Sequence, residues 1–209
     1  MILSVCNTKG GSSKTTTAAY LAHALVEQDV KVLVIDADPQ GSITRWAEMA
    51  DWTIPVRGMA STRLHVQDVG VELEARGHDA VIIDTPGTDE RRAIVESAVR
   101  ASTHVLVPVA PTSIEIERMA SVKELIDDVA HMGRHTAPPA SLALLTRTIP
   151  NAVATTEYRE LLTEEGWHVL RSTVARREVY AQAFGGPIER ATATAYGDAL
   201  EELLGVKTP

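Results

Sequence analysis

Short apolar runs alternate with helical patterns along most of this 209-residue chain, and that alternation leaves few folds open. The runs are continuous rather than interrupted by polar residues, as expected for strands that are covered on both faces of a sheet. Short connections between each strand and the next helix favour parallel strands joined by crossover helices. The sequence therefore predicts an α/β fold with a doubly wound, mostly parallel sheet and helices on both faces.

The elements can be placed approximately from the pattern. Strands are predicted at Ile2–Cys6, Val30–Ile35, Ala80–Ile83, His104–Val109 and Leu142–Thr146. Helices are predicted at about 15–28, 62–76, 89–100, 113–132 and 153–165. A weak strand near 167–170 is followed by predicted helices near 176–184 and 190–204. No repeat or low-complexity linker divides the sequence, so residues 1–209 are expected to form one domain.

Charge and cysteine content limit the class of protein. The chain has 20 Lys and Arg against 28 Asp and Glu, a formal net charge of −8. This charge argues against a constitutive nucleic-acid coat protein but leaves room for a local basic patch. The single cysteine, Cys6, excludes an internal disulfide. No apolar stretch approaches the roughly 20 residues of a membrane-spanning helix, so we expect a cytoplasmic protein without a membrane partner.

A Gly- and Ser-rich loop follows the first predicted strand and opens a helix. Residues 7–16 read NTKGGSSKTT. Backbone N–H groups in such a loop bind phosphate oxygens, and Gly10 and Gly11 let the backbone close around them without Cβ clashes. Lys14 would reach the β- and γ-phosphates, and the Thr15 hydroxyl would ligate Mg²⁺. The alternative for this segment alone is a turn followed by a hydroxyl helix cap.

Two further segments place carboxylates at predicted strand ends. Residues 32–42 read VLVIDADPQGS, with Asp36 and Asp38 after the second strand, and residues 81–87 read VIIDTPG, with Asp84. Open α/β sheets bind ligands at the carboxyl ends of their strands, and a carboxylate there resembles the Walker B aspartate that serves Mg²⁺. Each aspartate alone is equally typical of a helix cap. The three segments in this order favour a site for ATP and Mg²⁺.

Together these segments resemble the ParA/MinD family of deviant Walker A ATPases, which are P-loop NTPases. KGGSSKTT is similar to the first family motif, DADPQGS to the second and VIIDTPG to the third. TVARREVYAQAFGGP at 173–187 resembles the C-terminal region that closes over the nucleotide base. PVAP at 108–111 resembles the proline-containing strand end of the small plasmid-encoded proteins. Because no helix-turn-helix segment precedes the first motif, the chain is most similar to the short, ParF-like partition proteins.

The resemblance implies a role for each residue of the motifs. Lys9 would cross an ATP-sandwich dimer and contact the partner's nucleotide. Asp38 would position or activate the attacking water, so that Lys9, Lys14 and Asp38 are the expected catalytic residues. A second cation at the phosphates stabilises the charge that develops during phosphoryl transfer. Asp36 is expected to be structural.

The same resemblance implies the ligands of the cofactors. Thr15 and Asp84 are expected to serve Mg²⁺, and Thr16 is expected to bind the α-phosphate. Ser13 stands where the general pattern requires Gly, a departure that points to slow hydrolysis rather than lost binding. The expected phosphate-binding set is Lys9, Gly10, Gly11, Ser12, Ser13, Lys14, Thr15 and Thr16.

Base recognition and DNA binding are assigned to the last third of the chain. Thr146, Arg147 and Pro187 are the candidate contacts to the base, although an exposed, salt-bridging Arg is an equally good interpretation of Arg147. Arg suits phosphate contacts because its planar fork binds oxygens bidentately. The DNA-binding candidates, which could also be a solvated face with ordinary ion pairs, are Arg171, Arg176 and Arg177.

The function implied by the resemblance is that of a partition ATPase. ATP would drive formation of a homodimer, with higher assemblies possible, and the dimer would bind nucleoid DNA without sequence preference. A centromere-binding, ParB/ParG-like partner would stimulate hydrolysis and so move plasmid or chromosomal DNA in a bacterial cytoplasm. Two alternatives stay open: a positioning ATPase for another cargo, and a metabolic ATP-dependent enzyme of the same superfamily.

Overall fold

Seven parallel strands form a single sheet. The computed structural model describes residues 1–7, 11–67, 69–87, 91–132 and 138–206. The strands are β1 (Ile2–Val5), β2 (Val32–Asp36), β3 (Val56–Gly58), β4 (Ala80–Asp84), β5 (His104–Val109), β6 (Ala140–Thr148) and β7 (His168–Ala175). Within the described ranges their order is β3-β2-β4-β1-β5-β6-β7, and every neighbouring pair is parallel. The predicted doubly wound sheet is therefore confirmed.

Helices cover both faces of the sheet. They are α1 (Lys14–Val26), α2 (Ser42–Met49), α3 (Val71–Glu74), α4 (Arg92–Ala101), α5 (Ser113–Glu117), α6 (Met119–Met132), α7 (Val153–Glu164), α8 (Glu178–Ala181) and α9 (Ala195–Leu204), with a 3₁₀ turn at Ala191–Ala193. One apolar cluster joins α1, α2 and α9 to the sheet, and others join α4, α6 and α7 to the opposite face. Among the helices of the described ranges, none has the length and apolar character needed to span a membrane.

Successive strand residues serve opposite faces, which explains why the strands read as continuous apolar runs. Val34 and Ile82 belong to the cluster under α1, whereas their neighbours Leu33 and Ile83 belong to a cluster on the other face. All four side chains are buried. A strand covered on both sides needs apolar residues at every position rather than at alternate ones.

The segment after β3 differs from its prediction. A helix was expected at 62–76, but the structure has turns there and only the short α3. The Leu64 N–H donates to Ser97 Oγ at 2.8 Å, a contact with α4 rather than with its own turn. A Cβ on Gly70 would lie 2.1 Å from the Leu64 carbonyl oxygen, so the chain folds back tightly here. These contacts with distant residues override the local helical pattern.

Other boundaries also shift. The helix predicted at 113–132 is interrupted at Arg118, between α5 and α6. The strand predicted at 167–170 extends as β7 to Ala175, so the helix predicted at 176–184 shrinks to α8. The helix predicted at 190–204 divides at Thr194, whose side chain caps α9 by accepting from the Tyr196 N–H. Neither β3 nor α2 was predicted.

Strand order brings three loops together. β1 lies between β4 and β5, with Val5 in register with Asp84 on one side and Leu106 on the other. After β1 the chain crosses to β2 and β3, and after β4 it crosses to the other half of the sheet. The carboxyl end of β1 is therefore the point where the strand order reverses, which is the usual ligand site of open α/β sheets.

Candidate functional site

The loop from β1 to α1 turns through two left-handed residues. Gly11 has φ of 76° and Ser13 has φ of 65°. A non-glycine residue in this region is strained by roughly 1–2 kcal/mol, so Ser13 carries a cost that glycine would avoid. The Ser13 carbonyl accepts from the Thr17 N–H at 2.9 Å and so begins α1. Lys9 and Gly10 lie outside the described residues.

Lys14 is the first residue of α1 and is buried. Its Nζ donates to Ser12 Oγ at 3.3 Å. Burial lowers the pKa of Lys14, while the carboxylates of Asp84, Asp38 and Glu115 oppose that change. A buried ammonium at the base of a phosphate-binding loop gains most from an anionic ligand, because burial has removed its water.

Thr15 and Asp84, the two predicted Mg²⁺ ligands, are in direct contact. The Thr15 hydroxyl donates to Asp84 Oδ2 at 2.7 Å, and the second carboxylate oxygen, Oδ1, is buried without a hydrogen-bond partner. Burial raises the pKa of Asp84 to about 7, against the opposing effect of the Thr15 hydroxyl. The buried, unsatisfied oxygen beside a hydroxyl fits a site for a hard cation.

The Mg²⁺ site would depend on the nucleotide for further ligands. Within the described ranges, no group of three or more His, Cys, Asp or Glu side chains is placed to hold a metal ion. Mg²⁺ commonly binds through one or two protein oxygens, with phosphate oxygens and water completing its octahedron. Thr15 and Asp84 supply a donor set of that kind.

The two aspartates after β2 have different surroundings. Asp36 is buried and accepts from the Thr44 hydroxyl at 2.6 Å, from the Thr44 N–H at 3.1 Å and from the Asp38 N–H at 3.1 Å. Burial raises the pKa of Asp36. Asp38 is only half-buried, and its Oδ1 accepts from the Gln40 N–H at 2.9 Å. The structure therefore places Asp36 as an anchor of α2 and Asp38 at the open side of the loop.

A cavity of about 660 Å³ extends from the phosphate-binding loop. This volume lies within the range of small-molecule sites. Gly11, Ser13 and Thr16 line one part of it, and the predicted base contacts Thr146 and Arg147 also line it. The remaining lining residues are Ala110, Pro111, Thr112, Ile149, Ala152, Ala154, Val174, Ala175, Arg176, Arg177, Tyr180, Ala181 and Tyr196.

Three tyrosines that the motifs did not reveal pack together beside this cavity. Tyr196 stacks on Tyr20 with ring centroids 5.0 Å apart, and Tyr180 meets Tyr196 edge-on at 5.2 Å. Tyr180 and Tyr196 line the cavity, and burial raises the pKa of Tyr196. The available signal was Tyr180 itself, an aromatic residue in an aromatic-poor chain and inside the segment resembling the family's base-covering region.

The structure does not bring Pro187 into this cavity. Among the described residues that line it, Pro187 is absent. The preceding carbonyl, of Gly186, instead accepts from Trp46 Nε1 at 2.8 Å. The turn at Gly185–Pro187 thus packs on α2, and contact of Pro187 with the base stays a prediction.

The three arginines assigned to DNA have different surroundings. Arg176 and Arg177 line the cavity, whereas Arg171 lies earlier in the chain, on β7, and is not among the described residues that line the cavity. β7 bulges between Val169 and Thr173, and the Arg171 side chain is 93% exposed there. Its Nε lies 3.6 Å from Glu202 Oε1. The side chain is therefore accessible from the outer edge of the sheet.

Known proteins resemble this chain in sequence and in fold. The chain is 30% identical over 186 residues to maintenance of carboxysome distribution protein A of Halothiobacillus neapolitanus, covering 87% of this chain and 82% of the relative. It is 25% identical over 198 residues to protein ParA of Rhizobium radiobacter, covering 88% and 82%. Cobyrinic acid a,c-diamide synthase from Mycobacterium smegmatis, solved with an ATP analogue and magnesium, superposes with a TM-score of 0.76, at 22% identity over 100% of this chain and 97% of the other.

The family assignment follows from the extent of these matches together with the site. Residues 3–187 match the family described as the CobQ/CobB/MinD/ParA nucleotide binding domain. That range contains the phosphate-binding loop, both acidic strand ends and most of the cavity wall. The chain belongs to the CobQ/CobB/MinD/ParA nucleotide-binding family.

Proposed function

We propose that this protein is an ATPase of ParA/MinD type that acts as a nucleotide-dependent switch. The observation that carries the proposal is the hydrogen bond from Thr15 to Asp84, whose second carboxylate oxygen has no hydrogen-bond partner among the described residues. Thr15 directly follows the buried Lys14. Beside the carboxyl end of β1, the buried ammonium of Lys14 is complementary to phosphate. The oxygens of Thr15 and Asp84 are complementary to Mg²⁺. When bound, Mg²⁺ would neutralise charge on the phosphate oxygens.

The other motif residues take supporting roles in this proposal. Gly11, Ser12, Ser13 and Thr16 hold the phosphates, with Lys9 and Gly10 completing the loop. Asp38 orients the attacking water, because it is the less buried aspartate and lies beside a fixed loop. Lys9 reaches the nucleotide of a second copy, which makes dimerisation depend on ATP.

Positioning of a cellular cargo is the physiological role that we infer. Support comes from the relatives, one named for carboxysome distribution and another ParA. A switch that binds DNA as an ATP dimer and releases it after hydrolysis can move a cargo that carries the stimulating partner. Plasmid or chromosomal DNA, bound by a centromere-binding ParB/ParG-like protein, is the cargo we favour, and the nucleoid is the expected location.

DNA binding by this acidic chain requires a concentrated basic surface. The net charge of −8 opposes binding by the protein as a whole. Two-fold symmetry doubles any patch, so an exposed arginine such as Arg171 contributes twice in a dimer. Arg176 and Arg177 lie by the nucleotide cavity and would connect this surface to the nucleotide state.

Retention on DNA tests the proposed switch. The purified protein is passed over immobilised non-specific DNA with MgATP, with MgADP and without nucleotide, at low and moderate salt. We expect retention only with MgATP and its loss in Lys14→Ala. The matched control is Lys31→Ala, because Lys31 is an exposed lysine that directly precedes β2. This variant should leave retention intact.

The remaining outcomes identify the competing functions. Retention that is independent of nucleotide would contradict the switch. Binding and hydrolysis of ATP without any retention would favour the second candidate, a positioning ATPase that does not use DNA. The carboxysome-distribution relative is the observation that favours a cargo other than DNA.

A further inference from the structure

The end of β6 is irregular at Arg147. Thr146 is in register with Val174 and Thr148 with Ala175, so Arg147 is an extra residue on β6. Its φ is 55°, in the left-handed region that non-glycine residues rarely adopt. A bulge re-aims a side chain relative to the regular alternation of a strand. Here it accompanies a side chain that lines the 660 Å³ cavity.

The guanidinium of Arg147 has buried N–H donors without hydrogen-bond acceptors in the part of the chain that the structure describes. Its Nη2 lies 3.3 Å from Oε1 of Glu115, an ion pair with a carboxylate that is only 7% exposed. Neither Nε nor Nη2 nevertheless meets an acceptor in hydrogen-bonding geometry among the described residues. Buried donors without acceptors are costly, and their presence in a cavity wall indicates an acceptor on a ligand.

The position of Arg147 indicates which part of a nucleotide supplies that acceptor. Phosphates bound at the loop after β1 would lie over the centre of the sheet, with Asp84 of β4 on one side. β6 is two strands away on the other side, roughly 10 Å from β1 at ordinary strand spacing. The cavity extends in that direction, to Arg147, Tyr180 and Tyr196. The nucleoside, rather than the phosphates, would reach this end.

We propose that Glu115 is a positioning residue, which orients the Arg147 guanidinium so that it donates hydrogen bonds to the nucleoside half of the nucleotide. This inference rests on the proposed nucleotide site. Glu115 belongs to α5, the element that follows the Pro111–Thr112 wall of the cavity. Its carboxylate forms an ion pair with one nitrogen of the planar fork, and this charge pairing limits the orientations of the guanidinium. The acceptors are base or ribose atoms.

Calorimetric titration with two probes separates this role from the others. MgATP carries both halves of the ligand, whereas Mg-tripolyphosphate carries the phosphates alone. We expect Glu115→Gln and Arg147→Ala each to weaken MgATP binding about tenfold. Arg147→Ala should leave Mg-tripolyphosphate binding unchanged, and Glu115→Gln, which removes a carboxylate that also acts on Lys14, should alter Mg-tripolyphosphate binding much less than MgATP binding. Because Glu115 acts through Arg147, the double variant should bind MgATP no more weakly than Arg147→Ala. Exposed Glu117→Gln, on the same helix, is the matched control.

The opposing outcomes are distinct. Equal weakening of both probes by Glu115→Gln would place its effect at the phosphate end and overturn the proposal. So would additive losses in the double variant, or unchanged MgATP binding in either single variant. A wild-type protein that binds neither probe would instead contradict the proposed function itself.

A second variant keeps the test independent of folding. If Glu115→Gln does not fold, Arg147→Lys retains the positive charge beside Glu115 but removes the planar fork. It should weaken MgATP binding and spare Mg-tripolyphosphate. Full MgATP affinity in Arg147→Lys would overturn the role of the fork.

Discussion

At the residue scale, the site combines buried groups whose ionic states depend on a ligand. Burial lowers the pKa of Lys14 and raises that of Asp84, so each is disfavoured in its charged form. Phosphate would stabilise the ammonium, and Mg²⁺ would stabilise the carboxylate. The residues that make the site fit a nucleotide therefore also make the empty protein less stable than its packing would allow.

Asp84→Asn should stabilise the protein in the absence of nucleotide and Mg²⁺. The pKa of Asp84 is about 7 in the folded protein against an ordinary value of 3.8, so between these values the folded state holds a proton that the unfolded state has lost. Stability from this group therefore falls as pH rises through that range, by up to about 1.4 kcal/mol per pH unit. Urea unfolding followed by circular dichroism should show a larger advantage of the variant at pH 8 than at pH 5.

The same variant should no longer respond to Mg²⁺. Wild-type protein with ADP should gain stability from Mg²⁺ more strongly at pH 8 than at pH 6, because protons compete for the Asp84 carboxylate. An equal advantage of Asp84→Asn at both pH values would contradict the raised pKa.

Ser13 and Gly11 form a natural pair of opposite substitutions. Both are left-handed, so Ser13→Gly removes backbone strain while Gly11→Ala introduces it. A Cβ on Gly11 meets open space, which leaves the backbone as the only cost. We expect Gly11→Ala to destabilise by about 1 kcal/mol and Ser13→Gly to be neutral or stabilising by a similar amount.

Turnover provides the functional side of this comparison. Ser13→Gly should raise the hydrolysis rate modestly at saturating ATP without changing ATP affinity. Chemical denaturation and a phosphate-release assay measure the two effects separately. Destabilisation by Ser13→Gly would contradict the backbone strain at Ser13. An unchanged hydrolysis rate would show that Ser13 does not slow hydrolysis.

At the scale of elements, α2 is held by a residue outside it. Asp36 ends β2 and binds both the N–H and the hydroxyl of Thr44. The same carboxylate binds the Asp38 N–H, so the helix and the loop with the proposed water-positioning residue share one anchor. At the other end, Trp46 connects α2 to the C-terminal segment through the Gly186 carbonyl.

Asp36→Ala should therefore affect both stability and activity. Loss of three accepted hydrogen bonds at a buried site is expected to cost about 2–3 kcal/mol, and the loosened Asp38 loop should lower turnover. Asp38→Ala is the matched control, because it removes only the hydrogen bond from the Gln40 N–H. It should lose turnover with a stability change below about 1 kcal/mol. Equal destabilisation by both variants would contradict the anchor.

The sequence predicted elements well where burial and periodicity agree, as in β5, which matches His104–Val109 at both ends. It failed where distant contacts decide. β3 has only three residues, too few for a pattern, and α2 owes its start to Asp36 rather than to a cap of its own. No long helix forms at 62–76 because the Leu64 N–H donates to Ser97 on α4 and because the chain folds back so that Gly70 lies against the Leu64 carbonyl.

The same division applies to the site. Thr15 and Asp84 could be paired from motifs, because strand order places the ends of β1 and β4 side by side. The ion pair of Glu115 with Arg147 could not be predicted, because Arg147 lies at a bulge on β6 and no local sequence pattern indicates that bulge. The packing of the Gly185–Pro187 turn on α2 could not be predicted either, because the hydrogen bond from Trp46 to Gly186 joins residues 140 positions apart.

At the scale of the whole molecule, an acidic protein must bind an acidic polymer if the proposed switch is correct. An exposed residue on the outermost strand, Arg171, is then counted twice in each dimer. Each phosphate contact contributes about 0.9 to the slope of log affinity against log salt. The slope therefore reports how many such contacts a dimer makes.

Arg171→Gln should lower the magnitude of that slope by about 2 in the presence of MgATP. The physical reason is the loss of one contact from each protomer. Retention measured from low to moderate salt gives the slope, and Arg63→Gln is the matched control because Arg63 is an exposed arginine in the turns that follow β3, a strand at the opposite edge of the sheet from β7. Equal slopes for wild type and Arg171→Gln would remove this residue from the DNA surface.

The hydrogen bond from Trp46 to the Gly186 carbonyl gives the molecule an optical reporter of its own. The Trp46 indole is buried between α2 and the segment that follows Tyr180, a residue of the cavity wall. Indole emission shifts with the polarity and hydrogen bonding around the ring. If a nucleotide orders the cavity wall, the intrinsic fluorescence should therefore change, without a label, on the time scale of mixing.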